Sequence, residues 1–147
     1  ASGKKPLRNV IFAFWDGEER GLLGSKYFVH NCPFISQVKS YLNFDMIGRD
    51  NKPEDPNYMV FFFTASHHAF GEWKLNPSYR SWDNPVSGSD NASFAVKGIP
   101  ILWYHTDAHP DYHAPGDSAE RLNWDKVVDI TKASYLNAWN MAYVEEY

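Results

Sequence analysis

Near the start of the chain, in FAFWDGEERGLLGSKYF (residues 12 to 28), three acids fall within four positions of an otherwise apolar run: Asp16, Glu18 and Glu19. Carboxylates in such a place can hold a cation or move a proton, although a lone Glu-Glu pair is more often a solvated turn. Asp45, in YLNFDMIG, is a second acid set among apolar residues. An unpaired charge there is costly, so Asp45 calls for a cation, either an arginine such as Arg49 or a metal. The third stretch is HPDYHAPGD, residues 109 to 117. His109 and His113 have the i, i+4 spacing of a helical zinc pair, but Pro110 and Pro115 oppose a helix through them, which leaves a loop to present either one. Carboxylates with an imidazole and no thiolate suit zinc, manganese or cobalt.

Elements must bring these residues together. NVIFAFW (Asn9 to Trp15) is apolar on both parities, the pattern of a strand buried on both faces. GLLGSKYFVHN predicts a helix that stops near Asn31 and Pro33. Further strands are expected at Val38 to Asp45, Met59 to Thr64 and Ile101 to His105. Ser66 to Ser89 reads as a long aromatic loop region, with room for one short helix, carrying Trp73, Pro77, Tyr79, Trp82 and Pro85, and loops of that length are usually functional or mobile. In SDNASFAVKGIP a short helix is expected, capped by Ser89 or Asp90 and closed by Gly98 at its C′ position. Asn123 should cap a long helix with Trp124, Val127, Val128, Thr131, Tyr135, Ala138 and Ala142 on one face. Alternating strands and helices predict one α/β domain over residues 1–147, a three-layer α/β/α sandwich around a mostly parallel mixed sheet. In such sheets ligands collect at the carboxyl ends of strands, where Asp16 to Glu19 and Asp45 fall. No repeat or low-complexity segment is present.

With 147 residues, 44% hydrophobic and 17% aromatic, the chain can bury the core of a single domain and does not read as disordered. A net charge of −4 with no basic run argues against nucleic acid as a partner. No stretch reaches the roughly 18 apolar residues of a membrane span. The single cysteine, Cys32, excludes an internal disulfide framework and a Cys-rich metal site. The opening ASGKKP does not read as a natural start, and no signal peptide is present.

FWDGEERGLLGS, NFDMIGR, SDNASFAVKGIP and HPDYHAPGDS, in that order, resemble the zinc aminopeptidases of peptidase family M28, exopeptidases that remove N-terminal residues from peptides. The resemblance covers nearly the whole chain except the aromatic loop region. It implies a zinc-exopeptidase-like fold, a peptide substrate and two zinc ions in the complete domain. Residue by residue, it implies Glu18 as the general base that takes a proton from the attacking water. Glu19 and His113 match ligands of one zinc, and Asp45 matches a ligand of the other. Tyr112 matches a tyrosine whose hydroxyl steadies the oxyanion. Asp90, Asn91, His109 and Asp117 are candidates to support the site or bind substrate, Asp117 by orienting His113, although Asp90 reads first as a helix cap and Asp117 as a turn or cap residue. Asn91 stands where the family more often has His. Trp73, Trp82 and Trp103 could wall the cleft for the substrate's first side chain, while most aromatics belong to the core. His67 and His68 match no motif and read as surface or pocket-rim residues, and His105 as a hydrogen-bonded structural histidine.

The family pattern also has a His-x-Asp motif and a metal-bridging Asp upstream of the Glu-Glu pair. Only 17 residues precede Glu18; none is His, and the single Asp is Asp16. Two protein ligands for one metal and one for the other fall short of zinc's usual three or four. The expectation is therefore the C-terminal part of a larger catalytic domain, without its first strands and first helix. Such a piece should bind zinc weakly, cleave nothing alone and associate through an uncovered sheet edge. Two other functions stay open: a glutaminyl-peptide cyclotransferase of the same fold, which works with one zinc, and a non-catalytic M28-like binding module. The stretch EERGLLGSKYF looks more like the peptidase form. Bacterial relatives are often exported, which favours a periplasmic or extracellular compartment, although this chain shows no export signal.

Overall fold

Residues 5–63, 76–81 and 88–143 are described by the computed structural model. Their order is helix α1 (Leu23–Asn31), strands β1 (Tyr41–Phe44), β2 (Tyr58–Phe63) and β3 (Asn76–Ser81), helix α2 (Asn91–Ala95), strand β4 (Ile101–His105) and helix α3 (Trp124–Tyr143). The sheet runs β1-β4-β2-β3. β1 pairs parallel with β4 and β2 with β3, while β2 and β4 run antiparallel. The mixed, mostly parallel sheet is as expected, and the carboxyl ends of β1 and β4 share one rim.

Two apolar clusters make this a three-layer sandwich. Met59, Phe61, Leu102 and Tyr104 meet Ile130 and Met141 of α3 on one face. Ile101 meets Val29 of α1, Phe94 of α2 and Ile99 on the other. The alternation of Ile101 against Leu102 along β4 is the two-residue period of a strand covered on both faces. Full burial of a side chain such as Ile130 or Leu102 stabilises by about 1.5–3 kcal/mol.

The local signals explain the element ends. α1 stops at Asn31, and Cys32 turns extended ahead of Pro33, as the residue before a proline must. α2 closes through paired bonds, Gly98 N–H to the Ala95 carbonyl at 2.9 Å and Ile99 N–H to that of Phe94 at 3.3 Å. This is a Schellman turn with Gly98 left-handed at φ +71°. Asn123 caps α3, its Oδ1 accepting from the Lys126 N–H at 3.1 Å.

Four expectations fail. Residues 9–15 form no strand, and Phe12 and Phe14 are 87% and 96% exposed. Composition alone does not make a strand without a pairing partner, and none lies beside this run among the described residues. The span expected as loop contains β3, an edge strand, where Pro77 is tolerated; Trp73, Trp82, His67 and His68 lie outside the described residues. The buried face of α3 is Lys126, Ile130, Ala133, Ser134, Asn137, Met141 and Ala142, while Trp124, Val128 and Tyr135 face out. Polar residues can point inward there because each is satisfied: Asn137 donates to the Tyr104 hydroxyl at 2.7 Å and Ser134 to the Thr131 carbonyl at 2.9 Å. Finally, Asp90 precedes α2 but makes no side-chain cap bond.

Candidate active site

The Glu18–Glu19 turn is built by backbone geometry. A single 3₁₀ turn, Glu18–Arg20, lies between Gly17 and Gly21, both left-handed at φ +67° and +97°. Leu23 N–H bonds the Gly17 carbonyl at 3.1 Å and Gly24 N–H the Asp16 carbonyl at 2.8 Å. A Cβ on Gly24 would sit 2.8 Å from the Asp16 nitrogen and 2.9 Å from its oxygen, so only glycine lets α1 approach this closely.

From this turn Glu19 meets His113 of the 107–117 loop, Oε1 to Nε2 at 2.7 Å, with both side chains more than half exposed. His113 is itself left-handed, φ +55°, and Tyr112 stacks on its ring with centroids 3.9 Å apart. Burial, then the negative charges of Glu19, Asp45 and Asp90, push the Glu18 carboxyl above its ordinary value, against the pull of His113. Burial and the charges of Glu19, Asp45 and Glu18 push the Tyr112 phenol up, so it remains a hydrogen-bond donor at neutral pH. The charge of Asp45 thus acts on both Glu18 and Tyr112.

Asp45 is half-buried and follows β1. Its main chain is fixed by β4: His105 Nδ1 lies 2.8 Å from the Asp45 carbonyl oxygen, and Thr106 bonds the Met46 carbonyl through its N–H (2.8 Å) and its hydroxyl (2.6 Å). His105 is the structural histidine its sequence position suggested. Among the described residues no cationic side chain pairs with the Asp45 carboxylate. Arg49 turns instead to Asp111 and Asp117, each at 2.5 Å.

A polar relay runs from a half-buried end at Trp15 to a buried one at Asn91. Trp15 Nε1 donates to the Tyr41 hydroxyl (3.0 Å), which donates to Asn43 Oδ1 (2.9 Å); Asn43 Nδ2 lies 3.4 Å from Asn91 Oδ1. Asn91, fully buried, is therefore tied to the β1 layer. Asp90 is buried, its Oδ1 without a hydrogen-bond partner. Burial raises its carboxyl most, the Ser25 hydroxyl opposes this, and the Asp45 charge adds to it. His109 is buried beside Tyr112, and its Nε2 lies 3.7 Å from Asp117. Asp117 thus faces Arg49 and His109 and not His113, and its N–H closes a turn on the Ala114 carbonyl at 3.0 Å, as expected of a turn residue. Trp103 is buried in the sheet against Phe62 at 4.9 Å, which makes it core and not a cleft wall.

The donor set can be tested against zinc. Bonds of about 2.0–2.1 Å in tetrahedral geometry set two ligand atoms roughly 3.3 Å apart, so a small opening of the 2.7 Å pair would admit the ion. Carboxylate oxygen and imidazole nitrogen are the right donors. Among the described residues no three His, Cys, Asp or Glu side chains form a group able to hold a metal; Glu19 and His113 offer two donor atoms of suitable type.

The family model for Peptidase family M28 matches residues 1–137. The chain belongs to peptidase family M28. It is 45% identical over 109 residues to leupeptin-inactivating enzyme 1 of Streptomyces exfoliatus, a match covering 68% of this chain and 23% of that protein. A probable leucine aminopeptidase 2 of Aspergillus oryzae is 29% identical over 167 residues, covering 87% and 32%. Among solved structures, the LapA aminopeptidase of Legionella pneumophila superposes with a TM-score of 0.70 at 24% identity, over 90% of this chain and 39% of that one. The chain thus spans less than two fifths of each relative. M28 aminopeptidases are metallopeptidases, generally zinc-dependent. No described helix is long and apolar enough to cross a membrane.

Sequence reasoning weighed Arg49 only as a partner for Asp45 and passed over Asp111 and Arg121. The signal was present: HPDYHAPGD places two aspartates six residues apart around the histidine, a spacing one guanidinium can bridge.

Proposed function

We propose that this M28 chain is the C-terminal part of a metallo-aminopeptidase catalytic domain acting on the N-terminus of peptides. The observation that carries the reading is the meeting of Glu19 and His113 at 2.7 Å beside a Glu18 whose proton affinity is raised. Glu19 and His113 would hold one zinc and Asp45 would contribute to a second. When bound, zinc lowers the pKa of water and polarises the scissile carbonyl. Glu18, poised on the same turn, takes the proton of the attacking water and hands it to the departing amine. Tyr112, kept protonated, donates to the oxyanion. The match to less than two fifths of the relatives' length supports remaining ligands on segments beyond these residues.

In the full-length protein, Glu18→Gln should lower hydrolysis of an aminoacyl anilide by about 10²–10⁴-fold while zinc content by atomic absorption stays at the wild-type value. Loss of zinc together with activity, or unchanged turnover, would overturn the assignment. The 147 residues alone should lose zinc on dialysis and cleave nothing. With β1 at a sheet edge and Phe12 and Phe14 exposed, they should self-associate in sedimentation runs. Glutaminyl-peptide cyclisation, assayed beside peptide hydrolysis, separates the cyclotransferase reading.

A further inference from the structure

The loop that carries Tyr112 and His113 has little of its own to hold it. Its internal bonds are short turns: Tyr112 N–H to the His109 carbonyl (3.0 Å), Ala114 N–H to that of Asp111 (2.9 Å) and Asp117 N–H to that of Ala114 (3.0 Å). Tyr112 and His113 are about half exposed. Turns of this kind do not fix the direction of a side chain to the precision that metal ligation or oxyanion binding needs. Something outside the loop must hold it.

That hold comes from the segment after Asp45. Arg49 Nη2 donates to Asp111 Oδ2 and Nη1 to Asp117 Oδ1, each at 2.5 Å, so one guanidinium spans the loop on both sides of His113. Arg121 Nη1 joins Asp111 at 2.7 Å, and Asn51 Nδ2 donates to the Ala108 carbonyl. Arg49 is itself anchored from beneath. Its carbonyl accepts from Lys126 Nζ at 3.3 Å; that ammonium is buried and pairs with Asp50 at 2.5 Å. Asp50 also accepts from Asn123 at the start of α3.

We infer that Arg49 is a positioning residue, locking the loop that presents Tyr112 and His113 to the Asp45 segment, so that ligands from two distant stretches keep one mutual geometry. The inference rests on the peptidase reading for its catalytic consequence, not for the clamp itself. A planar fork can bridge two carboxylates at once, which a lysine ammonium cannot reproduce in the same geometry. The Asp117 arm is largely solvent-facing, where ion pairs contribute little to global stability, and Asp111 keeps Arg121 at 2.7 Å when Arg49 is lost, so removing the clamp should disturb the site more than the fold.

The test uses the full-length protein with Arg49→Met, Arg49→Lys and Asp111→Asn/Asp117→Asn. Each should lower kcat by about 10–100-fold with KM nearly unchanged, and lose zinc at lower chelator concentration. Hydrogen exchange across residues 107–118 of the metal-free protein should quicken, with little change in the unfolding midpoint. Lysine should rescue little, and adding Arg49→Met to the double variant should cost little more, because all three groups act as one unit. If Arg49→Met fails to fold, Asp117→Asn alone, which removes one arm, should show the same changes at smaller size. Wild-type kcat, zinc retention and exchange in Arg49→Met, or in Asp117→Asn where that is the variant that folds, would overturn the inference. Full rescue by lysine would do so too, since charge alone would then suffice. A wild-type protein that hydrolyses no peptide would sink the peptidase reading, whereas exchange in the metal-free variants would still judge the clamp.

Discussion

The two segments that meet at the Glu19–His113 contact are held in opposite ways. The Glu18–Glu19 turn is set by its backbone: left-handed glycines, short-range bonds, and an approach of α1 so close that Gly24 has no room for a Cβ. The 107–117 loop is set by side chains that reach it from elsewhere, Arg49, Arg121 and Asn51. A backbone-built element answers to steric change and ignores salt. A charge-built one answers to neutralisation and to ionic strength. Placing one member of the contact on each makes the pair sensitive to both kinds of perturbation.

The sharpest way to break this contrast is at the root of the charged side. Lys126→Met leaves Asp50 without its ammonium; breaking a buried pair costs about 3–5 kcal/mol, less what the 30% exposure of Asp50 lets water recover. Chemical denaturation of the whole protein should show this as the largest loss in the set. On the backbone side, Gly24→Ala forces α1 away from Asp16 and should cost about 1–3 kcal/mol, with zinc affinity falling in a chelator titration. Gly17→Ala, at φ +67°, should cost about 1 kcal/mol by the same denaturation. The smallest effect separates the two mechanisms most cleanly. In about 1 M salt, where screening acts over roughly 3 Å, exchange of residues 107–118 should quicken slightly while that of residues 17–24 stays the same. Equal responses in both segments would erase the distinction.

Much of the fold could be read from residues, and what could not has a common cause. α1, β1, β2, β4 and the cap at Asn123 follow from local signals: period, proline, glycine and a capping side chain. The motifs around Glu19 and His113 pointed to family M28, to which the chain belongs, although the Glu-Glu pair by itself reads as a solvated turn. Most of the misses depended on partners. Residues 9–15 have strand composition, but pairing is a relation between two strands, and no partner lies beside them among the described residues. The inward face of α3 was hidden because Lys126 and Asn137 look like surface residues until Asp50 and the Tyr104 hydroxyl are placed beside them. Arg49 was misread because sequence proximity favoured Asp45, whereas the carboxylates it grips lie 62 and 68 residues away.

α1 also carries a practical consequence. The acid turn lies at its amino end, and Cys32, the single thiol among the 147 residues, follows its last residue. Nine residues of helix set the two roughly 14 Å apart. A spin label or fluorophore attached at that sulfur would ride on the helix that packs against the acid turn, which gives the chain a native reporter of movement between that helix and its surroundings.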